Sequence, residues 1–104
     1  MVVTVLEGVV PIDKWDEFTA NFKAVTSAKL PPQMIETYLV HDTTNLSSWR
    51  ILTYWHSREA LEEYRRSVDT PGGILLFRSV GVEPRLTIFD VAGHASNAEQ
   101  GSMA

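Results

Sequence analysis

The chain has 104 residues, of which 44% are hydrophobic and 21% charged, with a formal net charge of −4. That length holds one modest core and leaves little for a second domain. Mild acidity without a run of Lys or Arg argues against nucleic acid or an anionic membrane as the main partner, and the absence of cysteine excludes disulfides and thiolate metal sites, which fits a reducing, cytoplasmic setting.

The opening, Met1 to Leu6, has no basic flank and is broken by Glu7, so it reads as the start of a strand and not as a signal peptide. Residues 2 to 10 are rich in valine and end at Pro11, which suits a first strand. A helix is expected next, with Asp13 as its N-cap, Asp16 and Glu17 in its first turn, and Trp15, Phe18, Phe22 and Val25 along one stripe. Leu30-Pro31-Pro32 stops it, because proline lacks an N–H and disfavours helical geometry in the residue before it. Met34 to His41 and Trp49 to Trp55 read as two strands joined by the polar segment Asp42 to Ser48.

Ser57 caps a second helix that carries Glu59 in its first turn and Leu61, Tyr64 and Val68 on one face. A shorter helix is expected from Thr70-Pro71, carrying Ile74, Leu75, Phe77 and Val80 and ending at Gly81. Pro84 to Ala92 forms the fourth strand. The domain is therefore placed at residues 1–92, with 93–104 as a flexible tail that offers no periodicity and little to bury. The longest apolar stretch, Ile74 to Phe77, is far too short to span a bilayer.

The order β-α-β-β-α-(α)-β predicts an α+β, ferredoxin-like βαββαβ fold, with the main helices on one face of a four-stranded antiparallel sheet. The opposite face would normally be polar, yet the strands are apolar on both sides. The first offers Val3, Val5 and Val9 against Val2, Leu6 and Val10; the third offers Trp49, Ile51 and Trp55 against Leu52 and Tyr54; the fourth offers Leu86 and Ile88 against Phe89 and Val91. A bare apolar face of several hundred Å² is unusual on a soluble monomer, so a homodimer is expected. The competing reading is that the alternation is merely imperfect and the third helix or the tail covers the remainder.

The stretch Ile51-Leu52-Thr53-Tyr54-Trp55-His56-Ser57-Arg58-Glu59-Ala60-Leu61-Glu62-Glu63-Tyr64-Arg65 resembles the strand-to-helix signature of the antibiotic biosynthesis monooxygenase (ABM) group of dimeric α+β barrel proteins. The resemblance rests on an aromatic-ended strand, Trp-x-Ser, then Glu-Ala-Leu and an aromatic one turn on. It implies oxygenation, without any cofactor, of a small electron-rich aromatic or polyketide-like molecule such as a phenol or anthrone, held in an apolar pocket between sheet and helices. A substrate enolate or phenolate can pass an electron to O2 itself, so the protein need supply only a shaped cavity, a polar group for the proton and exclusion of water. In the quinone-forming branch the strand tryptophan is accompanied by an Asn four residues earlier and a Tyr six residues later; here those positions are Ile51 and Leu61, and only Trp55 is kept. The haem-degrading branch has an Asn on strand one, a Trp on the second helix and a His about ten residues beyond; the corresponding positions are Glu7, Tyr64 and Ile74, so haem is not expected.

Three catalytic candidates follow: Glu7, a carboxyl set among valines whose pKa burial would raise; His56, beside the family tryptophan; and Trp55 itself. Glu7 has an alternative fate in ion pairs with Arg50 or Arg85 across the sheet, and loop-end histidines usually face solvent. Trp49, Tyr64, Phe77, Tyr38 and His41 are the candidate substrate-binding residues, although aromatics at these spacings are first of all core. No metal site is expected from three unpaired histidines. Two other functions compete with the enzyme: a non-catalytic small-ligand-binding or accessory dimer, which the missing Asn and Tyr would favour, and a purely structural dimerisation module with a filled core.

Overall fold

The computed structural model describes residues 1–97. β1 (Val2–Val9) is followed by a short 3-10 turn (Ile12–Lys14) and α1 (Trp15–Thr26), then β2 (Met34–His41), β3 (Ser48–Trp55), α2 (Arg58–Ser67), α3 (Gly72–Arg78) and β4 (Arg85–Asp90). The strands form one antiparallel sheet in the order β2-β3-β1-β4, the ferredoxin-like arrangement expected from the element order. The valine-rich β1 and aromatic-rich β3 take the two central places, where β-branched and aromatic side chains gain most from neighbours on both sides.

Register fixes which residues face the helices. Val2, Thr4, Leu6 and Gly8 of β1 pair with Trp55, Thr53, Ile51 and Trp49 of β3, and these eight are all buried. The intervening residues, Val3, Val5, Arg50, Leu52 and Tyr54, lie on the opposite face and are partly exposed, together with Tyr38 at 46% and Phe89 at 50%. The sequence separation of the strands into two apolar faces is therefore correct. Under the helices the core divides into two clusters. One gathers Leu6, Val10, Phe18, Trp49, Ile51, Leu76, Phe77 and Val80; the other, beneath α2, gathers Val2, Trp55, Leu61 and Tyr64.

Several local expectations need correction. Asp13 caps nothing: it lies inside the 3-10 turn, and α1 starts at Trp15 without a side-chain cap. Trp15 instead ties the turn to β1 by donating its indole N–H to the Val10 carbonyl at 2.8 Å. Val25 is 57% exposed, Phe18 being the one fully buried residue of α1, and Leu75 is 53% exposed because α3 turns Leu76 and Phe77 inward instead. β3 begins at Ser48, one residue earlier than expected, and β4 is shorter, ending at Asp90.

Other signals read true. Ser57 accepts the Ala60 N–H at 3.0 Å and caps α2. Gly81, at φ 77°, ends α3 in the left-handed conformation that glycine adopts without penalty, and the Gly81 and Val82 amides close back onto the carbonyls of Arg78 and Phe77. Residues 91–96 carry no helix or strand, and the remainder of the expected tail, 98–104, lies outside the described residues.

Candidate functional site

Between the inner face of the sheet and helices α2 and α3 lies an apolar cavity of about 50 Å³. Its floor is Thr4, Leu6, Thr53 and Trp55, with Ile88 and Leu86 from β4; its roof is Leu61, Tyr64 and Arg65 of α2 and Gly72, Gly73 and Ile74 of α3. A second cavity of about 120 Å³ adjoins it beneath α1, and Met34, Thr53, Tyr64, Gly72 and Gly73 line both.

The space exists because two kinds of residue, threonine and glycine, leave the layers unfilled. Thr37, Thr53 and Thr4 form a row across β2, β3 and β1 on the inner face, where larger apolar residues would otherwise fill the core. Thr37 and Thr53 share a hydrogen bond of 2.9 Å, and Thr4 accepts the indole N–H of Trp55 at 3.0 Å, so these buried polar groups are satisfied within the floor. Above them α3 begins with two glycines, and Gly73 comes so close to β1 that a Cβ there would stand 2.6 Å from Leu6 Cδ1. Tyr64 then fixes the roof: its hydroxyl accepts the Gly72 N–H at 3.0 Å, and its ring lies 5.0 Å from that of Trp55. One turn of α2 thus delivers Leu61, Tyr64 and Arg65 to one side, the i, i+3, i+4 spacing of a helix face.

Of the residues expected to form the site, the structure brings Trp55 and Tyr64 together at this cavity. The others are elsewhere. Phe77 is fully buried, and Trp49 is in the same core cluster, where Phe18 meets both rings. Among the described residues the buried Trp49 indole N–H has no acceptor. His41 stacks on Trp49 at 3.9 Å, meets the edge of Trp15 at 4.8 Å and turns Nε2 to the Leu46 carbonyl. Tyr38 lies on the open face of the sheet beside Tyr54, its hydroxyl donating to Glu36 at 2.6 Å. His56 is exposed at the junction of β3 and α2.

Glu7 takes the alternative expected of it, pairing across the sheet with both Arg50 and Arg85. Its side chain points to the open face and accepts from Arg50 at 2.8 Å and from Arg85 at 3.0 Å. The hydrogen bond from Arg85 and the charge of Arg50 hold its pKa below the ordinary carboxylate value, the reverse of the rise expected for a carboxyl among valines. Register is the physical reason: Glu7 faces Arg50 on one side and Arg85 on the other, so both cross-strand neighbours are positive. Among the described residues no group of three or more His, Asp or Glu is placed to hold a metal ion.

The model of the family "antibiotic biosynthesis monooxygenase" matches residues 1–70, from β1 through α2. The chain belongs to this family. No curated protein matches the sequence. Among solved structures, a protein of Deinococcus radiodurans assigned by name to the antibiotic biosynthesis monooxygenases superposes with a TM-score of 0.71 at 11% identity, covering 92% of this chain and 97% of the other. MhuD, solved as a point mutant with two manganese protoporphyrin IX bound per active site, gives a TM-score of 0.71 at 17% identity, with 92% and 99% covered. SnoaB, a cofactor-independent oxygenase of Streptomyces nogalater also solved as a point mutant, gives 0.62 at 15% identity, with 89% and 94% covered. At these identities the likeness is one of fold. That likeness of fold runs beyond residue 70, because α3 and β4 are needed to reach such coverage.

What sequence reading missed in this ABM-family chain is the floor and the rim: Thr4, Thr53, Met34, Arg65 and the Gly72-Gly73 pair. One signal was available. Threonine at Thr4 and Thr53, each at an inward position of a strand otherwise apolar on that side, marks a place where the core is interrupted.

Proposed function

We propose that this ABM-family protein is a cofactor-independent monooxygenase for a small, electron-rich aromatic or polyketide-like substrate, bound between the inner face of the sheet and α2 and α3. The observation that carries the reading is the apolar cavity between Trp55 and Tyr64 in a chain of this family. Pockets for drug-sized ligands run to roughly 300–1,000 Å³, and the two adjoining spaces of about 50 and about 120 Å³ fall short of that even when joined, so a substrate enters only as the lining yields. Met34 and Tyr64 form part of the wall between them, and an unbranched thioether yields readily.

For an anthrone-type substrate the chemistry balances without a cofactor. Loss of a proton gives the enolate, electron transfer to O2 and recombination form the C–O bond, and the methylene becomes a carbonyl while the second oxygen atom departs as water with both hydrogens. The protein's part is to hold the ring, exclude water and favour the anionic form. Neither a carboxylate nor an imidazole lines the cavity; its polar groups are the threonines, Tyr64 and Arg65. Trp55 and Tyr64 are therefore the residues assigned to substrate contact, and Glu7, His41 and His56 are given no chemical step.

The working unit in this proposal is a homodimer closed over the open face. Val3, Val5, Leu52, Tyr54 and Phe89 occupy that face, and the polar group of Glu7, Arg50 and Arg85 lies at one end of it, the distribution of an apolar interface core and a charged rim. Sedimentation at micromolar concentration should give a dimer, and a well-folded single-copy species would overturn this part.

Oxygen uptake tests the activity. With anthrone, anthranol and hydroxyquinol compounds the protein should consume one O2 per substrate, and Trp55→Phe and Tyr64→Phe should slow that uptake while the fold persists. Tight aromatic binding with no uptake across the panel would refute catalysis and leave a ligand-binding protein.

A further inference from the structure

The rim of the cavity carries an asymmetry that the family reading does not use. Of the residues lining it, only Arg65 and Leu86 are exposed, so these two mark its mouth, and Arg65 is the single charged side chain among them. Among the described residues its ion pair is with Glu62, a turn earlier on α2, at 3.9 Å, the long end of the range, with both side chains 43% exposed. Such a pair on an exposed helix face holds weakly. The stronger guanidinium contacts of this protein lie elsewhere: Arg50 and Arg85 on Glu7, and Arg78 on Glu83 at 2.7 Å. Arg65 is thus a cation beside an apolar cavity whose other polar groups are neutral, and its planar fork suits an oxyanion.

We infer that Arg65 selects ligands bearing an anionic oxygen, a carboxylate or a phenolate, on the ring that enters the cavity. The inference rests on the proposed pocket and narrows its substrate class: the ring lies between Trp55 and Tyr64, and the charge stays at the mouth where the guanidinium can turn to it. Desolvation is then small, because the anion never leaves the half-exposed rim, while one charge-assisted pair replaces the loose contact with Glu62. For an enolisable substrate the same cation favours the ionised form.

The probes are 2-naphthoate and its neutral counterpart 2-naphthalenemethanol, titrated calorimetrically into the full chain at pH 7.5 and low salt. Naphthoate should bind more tightly by roughly tenfold, the effect of one hydrogen bond to a charged group at a partly wet site. Arg65→Gln should bring the two probes to within about twofold, with naphthoate losing far more affinity than the alcohol, and Arg65→Lys should keep part of the preference, a point charge replacing the fork. Glu62→Gln, which releases Arg65, should tighten naphthoate alone. A preference that survives Arg65→Gln overturns the inference. Equal binding of both probes to the unaltered protein does the same and leaves the pocket standing, whereas no binding of either probe removes the pocket reading along with it. Arg65 is outside both core clusters, and an unchanged thermal midpoint of the variants confirms that only the rim was altered.

Discussion

Gly8→Ala should destabilise the protein even though alanine is the better strand residue. A Cβ at Gly8 would stand 2.8 Å from Phe77 Cε1, 2.9 Å from its Cδ1 and 2.8 Å from Val82 Cγ1. Neither neighbour can withdraw. Phe77 is fully buried with Phe18 against it at 4.8 Å, and Val82 is anchored by its N–H to the Phe77 carbonyl. Overpacking of this kind costs about 1–3 kcal/mol, and the relief of glycine's conformational entropy returns roughly 0.5–1 kcal/mol. The net loss should be about 1–2 kcal/mol, a fall in thermal midpoint of roughly 5–15 °C for a domain of this size. Urea unfolding followed by tryptophan emission measures it, with an unchanged m-value as evidence that the same transition is observed. Gly73→Ala supplies the internal control. Its Cβ would also meet a side chain, Leu6 Cδ1 at 2.6 Å, but that methyl is the end of a flexible chain facing the cavity, and alanine gains about 1 kcal/mol inside a helix. Its stability should be within about 1 kcal/mol of the parent. Equal losses in both variants would refute the argument that freedom of the neighbour decides the outcome.

Two further outcomes follow from side chains that hold turns in place. Ser57→Ala removes the acceptor for the Ala60 N–H and should cost about 0.5–2 kcal/mol, with Ser57→Asp restoring most of it, measured by urea titration. Asp42 accepts from the amides of Asn45 and Thr44 and from the Thr44 hydroxyl, which lowers its carboxyl from 3.8 to about 2. A folded-state pKa below the unfolded one gives a contribution fully present above pH about 4 and lost as the pH falls toward 2. Asp42→Asn should therefore flatten the acid limb of the stability profile over that interval, and a limb of unchanged steepness would count against the role of this carboxylate.

The fold was legible because its signals are local and mutually consistent. The Ser57 cap, the Gly81 stop and the valine-rich and aromatic-rich runs of β1 and β3 each depend on a few adjacent residues. The site was only half legible, since Trp55 and Tyr64 came from a motif, whereas the fate of Glu7 depends on which residues of β3 and β4 lie beside it. One register step decides whether a carboxyl sits among valines or between two guanidinium groups, and periodicity carries no register. Trp49 and Phe77 lie outside the cavity between Trp55 and Tyr64 for a related reason. Large aromatics fill whatever space the backbone leaves, so the residues that outline a hollow are the small ones, such as Thr53 and Gly73.

The bond between Trp55 and Thr4 restricts what the tryptophan can say to a guest. An indole owns one hydrogen-bond donor and no acceptor, and that donor is already engaged beneath the ring. Trp55 can then offer only its flat π surface, a reader of shape and not of polarity. Tyr64 is differently placed: its oxygen receives the Gly72 amide, while among the described residues its own hydrogen has no acceptor, and a phenol polarised in this way donates more strongly. In the proposed complex, then, a ring is oriented from two sides, by the phenolic hydrogen of Tyr64 within and by the Arg65 guanidinium at the mouth.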